Sequence, residues 1–267
     1  MQSKMIAPQF EGNIVAHPLS PSVLAKLGGL KQWPPVSQEF DPHSSWQHTF
    51  RIWICHGYTN RGNENVGLIR LARTPEAGGL TFRLSVRQTI LHVGGIRQSL
   101  DADITCRNDL FGSPIDWHLE NRFFRGDRFS STLSNSLEGR RRGDRIELRT
   151  GDSVSQMNRV KNVGSDWSVF DAVQRWPFQR SQSPSFDLLE NLTVRRTGQR
   201  IFYRGVENFH HEGRDLRLHH FVQLGPGMLP YDYWLDRQRR LVLVTTFTRA
   251  YILDSNYVLE TAGSASR

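Results

Sequence analysis

The chain has 267 residues, a formal net charge of +8, and 37% apolar and 10% aromatic residues. That is enough apolar material for a full core, which excludes a disordered chain. Two cysteines exclude a disulfide framework, and no run of about 18 apolar residues exists to cross a membrane as a helix.

The positive charge is almost all arginine, thirty residues against four lysines. Guanidinium forks match phosphate and carboxylate, but net charge speaks to solubility and non-specific binding, not to fold. The N-terminus has no apolar stretch of signal-peptide length. As written, the expectation is a cytoplasmic protein, or a periplasmic or exported one if the start site is misassigned.

Residues 1–45 are punctuated by Pro8, Pro18, Pro21, Pro34, Pro35 and Pro42, and read as an extended arm with one short helix. Ser20 caps that helix, Pro21 opens it and Gly28-Gly29 ends it. From residue 46 to 260 the pattern is that of a single β domain, with strands at 49–58, 65–73, 80–91, 96–108, 116–124 and 144–150. In the third, Leu80, Phe82, Leu84, Val86 and Ile90 point one way, and Thr81, Arg83, Ser85, Arg87 and Thr89 the other. One buried face and one wet face mark an antiparallel sheet open on one side.

The period then changes. Residues 165–177 are helical, with Asp166 or Ser168 as cap, Ser168 and Asp171 resembling a capping box, and Pro177 as the stop. Val169, Phe170, Val173 and Trp176 form the apolar face. A second short helix is predicted from Ser183 and Pro184, with Leu188, Leu189 and Leu192 inward. Together, 165–193 make a helical insert that covers an apolar sheet face. Strands resume at 199–208 and 214–224. Residues 230–253 follow as a strand, a charged turn at 236–240 and a longer strand, and 261–267 form a disordered tail. The predicted fold is mainly β (α+β): a curved antiparallel sheet, or half-barrel, of about ten strands wrapped around a central helix.

The segments WSVFDAVQRW, FDLLENL and LGPGMLPYDYWLDRQRRLVLV resemble bacterial β half-barrel proteins of the lipoprotein-carrier (LolA/LolB-like) superfamily and their DUF3108-type relatives. The resemblance implies an apolar cavity for acyl chains and no catalysis. It brings no ligand-binding motif that can be placed residue by residue.

The expected function is therefore non-enzymatic binding of a hydrophobic or amphipathic molecule, without a cofactor. The groove between sheet and helix would be lined by Phe82, Leu84, Ile104, Trp117, Phe170, Tyr233 and Leu243. An alternative is a metal-dependent enzyme using the hairpin with His210, His211, His219 and His220, in which His211 and His220 join Glu207 or Glu212. Neighbouring histidines on a strand point to opposite faces, so at most half can converge. A third reading takes Arg51, Arg83, Arg87, Arg107, Arg122, Arg145 and Arg149 as a platform for anions or nucleic acid. The acidic neighbours Asp101, Asp103, Glu120 and Glu147 argue against nucleic acid. No nucleophile elbow, zinc-protease helix or phosphate loop is present. Cys55 and Cys106 read as small core residues rather than a redox pair.

Overall fold

The computed structural model describes residues 19–30, 33, 39–55 and 64–254. The tip of the arm, the turn after the first strand and the tail at 261–267 lie outside the described residues. The strands are β1 (Trp46–Ile54), β2 (Glu64–Pro75), β3 (Thr81–His92), β4 (Ile96–Arg107), β5 (Pro114–Arg125), β6 (Arg128–Arg142), β7 (Arg145–Thr150), β8 (Ser153–Met157) and β9 (Val163–Ser165). After a helix come β10 (Phe186–Glu190), β11 (Val194–His211), β12 (Arg214–Leu224), β13 (Tyr231–Leu235), β14 (Leu241–Thr246) and β15 (Arg249–Leu253). The helices are α1 (Pro21–Lys26) and α2 (Asp166–Arg175).

All fifteen strands belong to one sheet, ordered β8-β7-β6-β5-β4-β3-β2-β1-β15-β14-β13-β12-β11-β10-β9. The fold is mainly β, but the sheet is half as wide again as expected. Its topology also dictates its shape. β8 and β9 lie at opposite edges, yet only residues 158–162 separate them in the chain. Five residues reach at most about 20 Å, so the edges must face each other and the sheet curls into a barrel-like wall. Side chains from both margins hold the linker. Arg195 on β11 donates to the carbonyls of Asn158 (2.7 Å) and Arg159 (3.1 Å), and Arg141 on β6 donates to that of Lys161 (2.5 Å).

The helix at 166–175 is one residue out of register with its expected cap. Ser165 is the N-cap, and its hydroxyl and that of Ser168 bond reciprocally to each other's backbone N–H at 3.1 and 2.8 Å. The helix is not the centre of the sheet. It has ten residues against eighteen in β11, and it packs on one side of the wall. Phe170 meets Phe50 of β1, Tyr233 of β13 and Tyr251 of β15 edge-on, with centroids 5.5–6.0 Å apart. The Gln174 side-chain Oε1 accepts from the Leu241 N–H at 3.0 Å. Asp171 is fully buried between Arg73 of β2 (2.9 Å) and Arg175 (2.6 Å). Arg73 also donates to the carbonyls of His43 and Ser44.

Three local readings are corrected. The second predicted helix is instead β10, paired in parallel with β9 and antiparallel with β11. Ser183 caps no helix; its hydroxyl accepts the Ile201 N–H at 2.9 Å. Residues 230–253 form three strands, because a turn at 246–249 divides the second half. Fifteen-residue β6 had been overlooked; its side chains are mostly exposed, so it carries no apolar alternation. Gly139 within it lies against the Trp117 ring, where an added Cβ would come within 2.0 Å.

A second apolar layer lies outside the wall. The register aligns Ile252, Leu243, Trp234 and His220 across β15, β14, β13 and β12, on the face opposite Tyr233. α1 and Trp33 cover this outer face. Trp33 donates from Nε1 to the Val242 carbonyl (3.2 Å) and meets Phe209 at 6.1 Å. Cys55 and Cys106 are buried free thiols. No helix among the described residues is long and apolar enough to cross a membrane.

Candidate functional site

The seven predicted groove residues are all buried in the core. Phe82, Leu84, Ile104, Trp117, Phe170 and Tyr233 share the inner face, whereas Leu243 pairs with Trp234 and faces outward. Tyr233 pairs instead with Val244, so Leu243 lies on the opposite face from the other six.

The predicted metal pair is not brought together. His211 pairs across the hairpin with Arg214, and its Nε2 lies 2.8 Å from the Leu30 carbonyl. His220 pairs with Gly205, six residues back along β11. His210 bonds Asp215 at 2.8 Å, and His219 stacks on Phe178 on the inner face. No group of three or more metal-ligating side chains occurs among the described residues. His220 is instead clamped between Glu207 on Nδ1 (2.6 Å) and Asp232 on Nε2 (2.8 Å), with its ring stacked on Trp234. Burial opposes its charge, but the two carboxylate hydrogen bonds outweigh this and raise its pKa. The arrangement suits an imidazolium that ties β11, β12 and β13 together, since both ring nitrogens carry a proton to a carboxylate.

The outward arginines of β3–β5 do not form an open cationic platform. Arg87 bonds Asp103 at 2.9 Å, and Arg122 bonds Asp101. Charges of both signs interleave on this face.

An open site lies at one rim of the barrel, where turns distant in sequence meet. A cavity of about 350 Å³ is lined by Glu190, residues 227–229, Tyr231 and the turn at 246–249. Its lip is apolar: Leu229 and Phe247 are half exposed there. Phe247 has φ +39°, and Asn191 and Leu192 in the adjoining turn have φ +50° and +59°. Such conformations are costly for these residues and persist only where the surroundings impose them. Polar groups gather below. Arg249 donates to the Tyr251 hydroxyl at a long 3.5 Å, and no ion pair holds it among the described residues. Glu190 is taken up by Arg196 at 2.8 Å. Burial pushes the Tyr231 and Tyr233 hydroxyls well above the ordinary phenol range, so both stay protonated as donors. Burial also raises Asp166 to about 7, against the Asn191 N–H that donates to it at 2.7 Å. Tyr231 stacks at 6.3 Å on Tyr233, which meets Phe170. Tyr231 thus connects the cavity to Tyr233 and Phe170, two of the predicted groove residues, neither of which lines it.

Sequence reasoning had no direct route to this site. Its residues come from three separate connections, the β10–β11 turn, the β12–β13 loop and the turn at 246–249.

No protein-family description matches the chain, and no curated protein matches it. Among solved structures, it is similar to the crystal structure of a β-barrel-like protein of a domain of unknown function, DUF1849, from Brucella abortus. The TM-score is 0.52 at 7% identity, covering 78% of this chain and 94% of that one. The likeness supports a β-barrel-like fold, and not the lipoprotein-carrier superfamily in particular.

Proposed function

We propose that this protein is a non-enzymatic binder of an amphipathic small molecule, held in the rim cavity above Tyr231. The observation that carries the reading is the cavity itself. Its volume of about 350 Å³ lies within the ~300–1,000 Å³ of small-ligand sites, which combine apolar walls with a few polar groups. Met228, Leu229 and Phe247 offer the apolar contact, and the Arg249 guanidinium and Tyr231 hydroxyl the polar one. Tyr233 and then Phe170 pack behind Tyr231.

The test is titration with a dansyl-labelled undecanoic acid. Saturable uptake at one site per chain is expected, displaced by unlabelled fatty acid. Leu229→Asp should weaken it about tenfold or more, from the loss of a buried leucine contact, and Arg249→Gln should weaken it less. Absence of saturable uptake, or uptake indifferent to Leu229→Asp, would refute the proposal.

A further inference from the structure

The exposed apolar side chains are not scattered. Ten large ones stand exposed among the described residues, and eight of these lie in turns or near strand ends, among them the six Leu91, Val93, Phe129, Val194, Leu229 and Phe247. The register shows that these six emerge at one rim. Ile54 at the end of β1 pairs with Arg249, next to the 246–249 turn. Two residues back, Ile52 pairs with Gly67, which pairs with Ile90 just before the β3–β4 turn. Ile96 after that turn pairs with Arg125, and Phe124 with Phe129 across the next one. The loop after β12 and the turn before β11 leave the same way, since Arg200 pairs with Leu224 and Gln223 with Tyr231. Val93 is 89% exposed, and the other five 44% to 57%. A monomer surface seldom gathers such groups without a partner for them.

Their company identifies the partner. At the β3–β4 and β5–β6 tips the apolar groups alternate with Arg97, Arg125 and Arg128, against the single acid Asp127. Among the described residues none of these arginines is ion-paired, and Arg97 lies 4.2 Å from the centre of the Phe124 ring. Further down the outer wall, the paired charges Arg87–Asp103 and Arg122–Asp101 begin. They favour water and would set a limit to immersion.

We propose that this rim docks onto an anionic lipid bilayer. The turn tips enter the boundary between headgroups and acyl chains, while the arginines take lipid phosphates. Separate tips spaced around a ring suit a flat, deformable surface better than the compact epitope of a folded partner. The inference stands apart from the ligand reading, because Leu91, Val93, Phe129 and the three arginines do not line the cavity.

The test is flotation of the full chain with vesicles of phosphatidylcholine alone or with about one-third phosphatidylglycerol. Binding is expected to the anionic vesicles only, weakening as salt rises. Val93→Asp and Phe129→Asp should each reduce it about tenfold, and Arg97→Gln or Arg128→Gln about fivefold each, since one surface arginine contributes about that factor. Leu80→Asp serves as control: Leu80 is 78% exposed but sits in the β2–β3 turn at the opposite rim, and its change should leave binding intact. Leu80, Val93, Arg128 and Phe129 are exposed, so these variants should keep the parent's unfolding transition; Arg97 is half-buried over Phe124, so Arg128→Gln is the cleaner of the two arginine variants. Lack of flotation, equal binding to neutral vesicles, or equal losses for Leu80→Asp and Val93→Asp would overturn the proposal. So would self-association in solution that the Val93→Asp change abolishes while vesicles remain unbound.

Discussion

The wall of this barrel is built in two ways. Along β3–β5 one face is buried and the other wet: Phe82, Leu84 and Val86 point in, while Arg83 and Arg87 point out. Along β13–β15 both faces are covered, α2 inside and α1 with Trp33 outside, and β14 is buried at Leu241, Val242, Leu243, Val244 and Thr245 in succession. Strict alternation stabilises the first kind of wall by itself. The second depends on segments brought to it from elsewhere in the chain, so its stability should respond to changes far from its strands.

The largest effect is expected at the inner cover. Asp171→Ala would leave Arg73 and Arg175 buried without their shared carboxylate, at a cost of about 3–5 kcal/mol. Equilibrium denaturation would measure this; a change under about 1 kcal/mol would mean that the ion network does not hold α2 to the wall. Trp33→Ala removes the outer cover and should cost about 3 kcal/mol. Hydrogen exchange sharpens the comparison, because amides of β13 and β14 should lose protection while those of β3 and β4 keep theirs.

Under ordinary conditions near neutral pH the remaining contrast is latent, and it emerges when pH is varied. His48, on the inner face beside Phe50, has its pKa lowered to about 3 by burial and then by the charge of Arg240. An unfolded histidine takes a proton near pH 6.5. The stability linked to neutral His48 is therefore present above that value and is lost as pH falls toward 3, by at most about 1.4 kcal/mol per pH unit. His220, on the outer face, has a raised pKa, so its contribution is complete below about pH 6.5 and is lost as pH rises through the folded value. His48→Leu should flatten the acid limb of a stability profile and His220→Gln the alkaline limb. If both changes altered the same limb, the contrast between the faces would fail.

The same contrast explains what could be read from sequence. Strands with one wet face announce themselves by alternation, as 80–91 did. A strand buried on both faces loses that signature. At Leu188, Leu189 and Leu192 it even imitates the spacing of a helix, which is why β10 was misread. In 241–246 both parities are apolar, so the sequence could not say which face Leu243 took. β6 fails for the opposite reason, having almost no apolar face to detect. The rim cavity was illegible because it needs the sheet to curl towards closure: Tyr231 and Phe247 stand at one end of the paired strands β13 and β14, but Glu190 lies three strands from β13 and reaches them only through that curvature.

That closure rests on the short linker at 158–162. At the meeting of β8 and β9 the ring is fastened by guanidinium clasps from Arg141 and Arg195 rather than by a continuous backbone ladder. These clasps, with the isolated backbone bonds from the Val160 N–H to the Asp144 carbonyl and from the Asp187 N–H to the Asn162 carbonyl, can be undone without unravelling any strand. The join is therefore where the cylinder would part first under load. Its two strand margins are also what the clasps keep from recruiting a foreign strand.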